Sequence, residues 1–193
     1  MRIIGGEFRG RRLQTPKGRN IRPTSDRVRE AIFNVIAASI AEADVLDLFA
    51  GTGALGLEAL SRGAARAIFV DNHIEAIRLI EQNIRLCGVK DRTVVMRRAI
   101  LPSLAILAAQ PTNVAGFHLV FLDPPYGQDQ VPMVLERLTA LRLVSPTAVA
   151  VAEHHRNDAI PDRCGSWHKT KERRYGDTLI SYFSCESLDA FPS

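Results

Sequence analysis

The sequence predicts an α/β fold built on a doubly wound, mostly parallel sheet, and three observations predict it. From Val45 onward, short apolar runs alternate with stretches in which apolar residues recur at helical spacing. The first run passes into a glycine-rich turn, AGTGALG, which suits a buried strand feeding a helix packed closely upon it. The last two strands, HKTKERRY and TLISYF, are separated by Gly176-Asp177 alone, a tight hairpin that makes the final strand antiparallel. Such alternation puts helices on both faces of a parallel sheet.

The elements follow in order. Pro23-Thr24-Ser25-Asp26 reads as a helix start, with Ser25 or Asp26 able to cap free N–H groups, and Val28, Ala31, Ile32, Val35 and Ile36 then recur at helical spacing. VLDLFA (45–50) is a strand and residues 54–62 a helix; AIFVD (67–71) is a strand and residues 74–86 a helix that stops near Gly88. TVVMR (93–97) is the third strand, and residues 101–109 are helical, with Pro102 limiting where that helix begins. FHLVFLD (117–123) is the fourth strand, followed by a helix at 131–141 and the strand AVAVAEH (148–154). HKTKERRY (168–175) and TLISYF (178–183) form the closing hairpin. No internal repeat, low-complexity tract or linker divides the chain.

Composition narrows the function classes. A chain of 193 residues with 46% hydrophobic and 24% charged residues suits one soluble globular domain with a sizeable core. Arg2, Arg9, Arg11 and Arg12 are not followed by the apolar stretch of a signal peptide, and no run approaches a membrane span. Cys87, Cys164 and Cys185 lie far apart, which argues against a disulfide framework or a zinc site and fits a reducing cytoplasm. His73, His118, His154, His155 and His168 show no metal-ligand spacing, so no metal is expected.

Charge is unevenly placed. Residues 1–30 hold nine basic and three acidic side chains, a surplus of six, whereas the whole chain carries +4, so the remainder is slightly acidic. A basic arm on such a body suits a polyanion. Ile3, Ile4, Phe8, Leu13 and Ile21 are spaced among the charges, with Gly5-Gly6, Gly10 and Pro16-Lys17-Gly18 as turn signals. This reads as a hairpin with a basic face: an arm of residues 1–24 for RNA contact, preceding a body of 25–193.

Two motifs carry the chemistry. Gly51, Gly53 and Gly56 match the spacing of a dinucleotide-binding turn, and Asp71 ends the second strand twenty positions after Gly51. Asp47, four residues before Gly51, separates the ligand classes. A carboxylate there would repel a pyrophosphate, at roughly 4 kcal/mol for unit charges 4 Å apart and an effective dielectric near 20. It would attract the sulfonium and ammonium of S-adenosylmethionine, which disfavours a dehydrogenase. A structural carboxylate bonded to backbone N–H groups is the other reading of Asp47, and both can hold.

The fourth strand ends in LDPPYG (122–127). Two prolines stop a ladder because they lack N–H groups, but they explain neither the acid nor the aromatic ring. An exocyclic amine on a nucleobase is a poor nucleophile, its lone pair delocalised into the ring. Two acceptors, the Asp123 carboxylate and the Pro124 carbonyl, hold such a nitrogen in line and stabilise positive charge developing on it. The prolines fix that carbonyl's direction, and Tyr126 offers a flat face for a flipped-out base.

VLDLFAGTGALG resembles motif I of class I S-adenosylmethionine-dependent methyltransferases, and LDPPYG resembles the Asp-Pro-Pro-Tyr motif of amino-methyltransferases. RIIGGEFRGRRLQTPKGRNIRPTSDRVREAIFNVI (2–36), with RRYGDT (173–178) near the end, is similar to the RsmD-type enzymes, bacterial methyltransferases acting on guanine N2 of small-subunit ribosomal RNA. The resemblance spans nearly the whole chain. It implies a Rossmann-like, seven-stranded sheet with an antiparallel last strand and a basic β-hairpin arm before it. It also implies S-adenosyl-L-methionine as cofactor, 16S rRNA in a nearly assembled 30S subunit as partner, a monomer and a cytoplasmic location.

Carried over by position, Asp47, Ala50, Gly51, Thr52 and Gly53 contact the donor, and Asp71 its ribose. Asp123, Pro124 and Tyr126 act on the base with Pro125 beside it, and Arg9, Arg11 and Arg12 grip RNA. The pattern departs after the third strand: where many relatives have an acid for the adenine amino group, MRRAIL supplies Arg98 and Ala99, leaving adenine to backbone groups near Ala99. The Asp-Pro-Pro-Tyr geometry also suits adenine N6 and DNA, and a non-catalytic RNA-binding assembly factor on the same fold is a further alternative. The sheet occupies residues 44–183, which leaves no room for a separate domain that reads duplex sequence.

Overall fold

A computed structural model describes residues 1–16, 25–109, 116–127 and 130–186. Helix α1 (Asp26–Val35) begins at Ser25, whose Oγ accepts from the Val28 N–H at 3.3 Å. Strand β1 (Asp44–Leu48) is buried along its whole length and lies between β2 (Arg66–Asp71) and β4 (Phe117–Leu122), parallel to both. Strand β3 (Thr93–Arg97) pairs with β2, and β5 (Val144–His155) with β4, again in parallel. Helices α2 (Ala54–Ser61), α3 (Ile74–Cys87), α4 (Ile100–Ala109) and α5 (Gln130–Ala140) supply the crossovers. Pro102 is third in α4, where its missing N–H has no intrahelical partner to lose.

Beyond β5 the direction reverses. Strand β8 (Thr178–Cys185) is antiparallel to β5, β7 (Trp167–Tyr175) is antiparallel to β8, and the two-residue β6 (Arg163–Cys164) is antiparallel to β7. Among the described residues the order is β3-β2-β1-β4-β5-β8-β7-β6, eight strands where the resemblance implies seven. The addition is β6, too short to leave a period in the sequence. Alternation along the strands sends Val45, Phe69, Leu119 and Phe121 to the face covered by α1, α2 and α3. It sends Leu46, Leu48, Val120 and Leu122 to the face covered by α4 and α5.

The described N-terminal residues pair with one another and pack on the body. An antiparallel bridge, Arg2 to Arg12, and backbone bonds from Ile3 N–H to Arg11 O (3.0 Å) and Leu13 N–H to Met1 O (3.2 Å) link the two limbs, and Ile3, Phe8 and Leu13 are buried in the core shared with α1–α3. Most of the segment's polar anchors lie on the body. The buried Glu58 carboxylate of α2 accepts from the N–H groups of Ile4 and Gly5, each at 2.8 Å, and from Arg62 Nε at 2.8 Å. Ser61 Oγ accepts from the Phe8 N–H at 2.9 Å, and Asn83 Oδ1 of α3 accepts from Gln14 N–H at 2.7 Å. Lys17, Ile21 and the Pro23-Thr24 start signal fall outside the described residues.

Candidate active site

The strand order reverses between β1 and β4, and the C-terminal ends of β1, β2 and β4 lie side by side at the place where open α/β sheets bind ligands in a crevice. β1 leaves the sheet through Phe49, at φ +59°, an unusual conformation for a bulky residue and a mark of backbone held by its surroundings. Gly51 (φ +57°) and Gly53 (φ +74°) then make the turn, and only glycine adopts such angles at little strain. Gly56, inside α2, has another role. A Cβ there would run into the Phe69 ring and come within 3.1 Å of Asp47 Oδ2, so the missing side chain lets helix and sheet approach closely.

Two acids clamp this turn. Asp71 Oδ2 accepts from the Gly51 N–H at 2.9 Å and its Oδ1 from the His73 N–H at 2.9 Å. Asp47 is 2% exposed, and its Oδ2 accepts from the Gly56 N–H at 2.9 Å. Burial pushes the Asp47 pKa up to about 8; the Gly56 bond opposes that rise and the Asp71 charge adds to it. The structural reading of Asp47 is therefore realised in the fold.

The Asp123–Tyr126 loop meets the turn directly. β4 pairs with β1 through Leu48 and Leu122, and the Asp123 N–H points at the Leu48 carbonyl, 3.5 Å away. Pro124 is buried, whereas Pro125 and Tyr126 are exposed, the latter by 48%. Burial, and then the charges of Glu153 and Asp47, hold the Asp123 carboxyl well above the usual carboxylate range. Glu153 stands on β5 one position beyond Ala152, the register partner of Leu122, so the two acids are neighbours across β4 and β5. Beside them the Tyr126 ring lies 5.5 Å from that of His155, tilted by 50°, and Tyr126 Oη is 3.4 Å from Thr178 Oγ1. A crevice bearing two acids of raised pKa, a glycine turn and an exposed aromatic face is suited to a cationic cofactor next to a planar substrate.

The family model described as conserved hypothetical protein 95 matches residues 1–184. The chain belongs to that family, the RsmD-type methyltransferases. Ribosomal RNA small subunit methyltransferase D of Escherichia coli K12 is 33% identical over 187 residues, 97% of this chain and 91% of that protein. The solved Escherichia coli methyltransferase yhhF superposes with a TM-score of 0.82 at 31% identity, covering 97% of this chain and 99% of its own. A hypothetical protein of Thermus thermophilus superposes with a TM-score of 0.78 at 30% identity, covering 97% and 99%.

For this RsmD-type chain, the structure gathers Asp47, Ala50, Gly51, Thr52, Gly53, Asp71 and Asp123 around one crevice. Thr52 is buried, its carbonyl accepting from Asn83 Nδ2 at 2.9 Å. Ala99 is exposed and follows Arg98, whose N–H donates to the Asp71 carbonyl at 3.0 Å, so this backbone borders the crevice. Arg9, Arg11 and Arg12 are exposed but sit elsewhere. Arg11 Nη1 donates to Leu86 O near the C-terminal end of α3, while its guanidinium covers Phe8. Among the described residues no cluster of His, Cys, Asp and Glu is arranged to hold a metal ion, and no helix is long and apolar enough to cross a membrane. Sequence reasoning missed Glu153, His155, Asp158 and Thr178. An acid closing an apolar strand was the available signal for Glu153, as it was for Asp71 and Asp123.

Proposed function

We propose that this protein transfers a methyl group from S-adenosyl-L-methionine to the exocyclic N2 of one guanine of 16S rRNA in the 30S subunit. The observation that carries the reading is the meeting of the two motif loops: Asp123 lies against the end of β1, so whatever the glycine turn holds faces the Asp123–Tyr126 loop. S-adenosylmethionine, when bound, supplies an electrophilic methyl group on a sulfonium centre. The fit rests on charge. The charges that act most on Asp47 and Asp123 are those of other carboxylates, and a cationic ligand relieves that repulsion.

Each residue then has a task. The turn from Ala50 to Gly53 gives the donor a close backbone surface, Asp71 holds that turn and offers an acceptor to a ribose hydroxyl, and Ala99 borders the adenine. Tyr126 stacks the flipped guanine, with Pro125 at its edge. The Asp123 carboxylate and the Pro124 carbonyl accept from the two N2–H groups, which keeps the nitrogen lone pair aimed at the methyl group. A carboxyl with a raised pKa is also a better base than an ordinary one, so Asp123 can take the proton that N2 sheds. Residues 1–24 carry RNA contact through Arg9, Arg11 and Arg12, and residues 25–193 carry the chemistry.

The test is nucleoside analysis of 30S subunits incubated with protein and donor. N2-methylguanosine at a single position is the expected product. N6-methyladenosine, or no methylated nucleoside, would overturn the assignment.

A further inference from the structure

A turn beyond the two motifs is bonded to the Asp123–Tyr126 loop. Asp158, in the connection after β5, spends both carboxylate oxygens on backbone. Oδ1 accepts from the Gly127 N–H at 3.2 Å and Oδ2 from the His155 N–H at 2.9 Å. The Asp158 N–H in turn donates to the His155 carbonyl at 2.9 Å. One side chain thus joins the residue after Tyr126 to the end of β5. His155 completes the link: its ring props the Tyr126 ring at 5.5 Å, and its Nδ1 accepts from the Asn157 N–H at 3.2 Å, which fixes the imidazole's orientation. Thr178, the register partner of His155 on β8, stands 3.4 Å from the Tyr126 hydroxyl.

We propose that Asp158 is a positioning residue for base capture, holding Tyr126 and the His155 ring as one preformed platform. The inference rests on the reading of Tyr126 as the stacking face for the target base. Tyr126 is 48% exposed, and a stacking face ordered only when the base arrives would weaken capture. Asp158 touches neither donor nor base. It acts through Gly127 and His155, whose backbones carry the platform, and charge-assisted hydrogen bonds to two N–H groups are strong enough to fix both.

Steady-state methylation of 30S subunits by Asp158→Ala, Asp158→Asn, Tyr126→Ala and the Tyr126→Ala/Asp158→Ala double variant tests this, with donor affinity and melting temperature measured alongside. Asp158→Ala should lose on the order of 10–100-fold in kcat/KM for the subunit, the scale of a misplaced substrate, while donor affinity stays within about twofold. Asp158→Asn, which keeps one acceptor oxygen, should fall between that variant and the parent, and it serves if the alanine variant fails to fold. Because Asp158 acts through the platform, the double variant should be no worse than Tyr126→Ala alone, within about twofold. Parental kcat/KM in Asp158→Ala, or losses that simply multiply in the double variant, would overturn the inference while leaving the reading of Tyr126 intact. Parental activity in Tyr126→Ala would overturn that reading and the inference with it.

Discussion

Asp47 shows what burial does to a single carboxyl in this fold. Its pKa, about 8 in the folded chain against an ordinary 3.8, makes folding favour the protonated form. Its contribution to stability is therefore fully present below about pH 4 and is lost as pH rises through 8. Denaturant unfolding of the donor-free protein between pH 5 and 9 should show that decline, and Asp47→Asn should flatten it, because an amide keeps an acceptor for the Gly56 N–H without a charge. A parental slope in Asp47→Asn would show that other groups set the profile. Glu153 acts on Asp123 in a related way. Its charge adds to the burial that raises the Asp123 pKa. Removing the charge in Glu153→Gln should lower that pKa, and the acid limb of the pH–rate profile should move to lower pH. An unmoved limb would mean that Asp123 does not titrate in the rate.

Elements were legible where period or punctuation marked them. Strands β1 to β5 and β8 each carry an apolar run, the polar β7 was marked by the Gly176-Asp177 turn that joins it to β8, and Ser25 and Gly88 mark a start and a stop that the caps confirm. β6 left no trace because two residues paired only at an edge have no periodicity. The docking of the N-terminal segment was not legible for a physical reason. Ile3, Phe8 and Leu13 recur at five-residue spacing, which fits neither a strand nor a helix, and the groups that anchor the segment, Glu58 and Ser61 of α2 and Asn83 of α3, lie more than fifty residues away. Glu58 is the joint: a fully buried carboxylate serving Ile4, Gly5 and Arg62. Glu58→Ala would strip three donors of their acceptor, and such losses cost about 2–4 kcal/mol. Chemical denaturation should register that loss, and hydrogen exchange should show faster exchange at Ile4 and Gly5. Unchanged exchange there would mean that Ile3, Phe8 and Leu13 hold the segment by packing alone.

At the scale of the whole molecule, the basic N-terminal segment and the acids of the site lie on different elements. Asp47, Asp71 and Asp123 stand at strand ends, while Arg9 and Arg12 stand exposed on a segment bonded to α2 and α3. A large folded RNA can reach both surfaces at once. On the proposal that the segment grips phosphates, those contacts would fix register rather than read sequence. Replacing Arg9 and Arg12 together by alanine should weaken 30S binding and reduce its salt slope by roughly 0.7–0.9 for each phosphate no longer neutralised, with donor affinity unchanged. An unaltered slope would assign RNA binding to other basic residues. The crevice itself was legible as two motifs, because each depends on neighbours in sequence. Its partners Glu153, His155 and Asp158 were not, because the β4–β5 register and the return of β8 bring them there.

The central claim is that Asp123, lying against the end of β1, performs methyl transfer rather than merely ending a strand. Single-turnover methylation of 30S subunits by the parent and by Asp123→Ala, each saturated with S-adenosylmethionine, measures this directly. Loss of one positioned acceptor at a developing charge should lower the rate by on the order of 10²–10³, with donor affinity close to the parent's. A near-parental rate in Asp123→Ala would contradict the account and return Asp123 to the role of an ordinary strand exit.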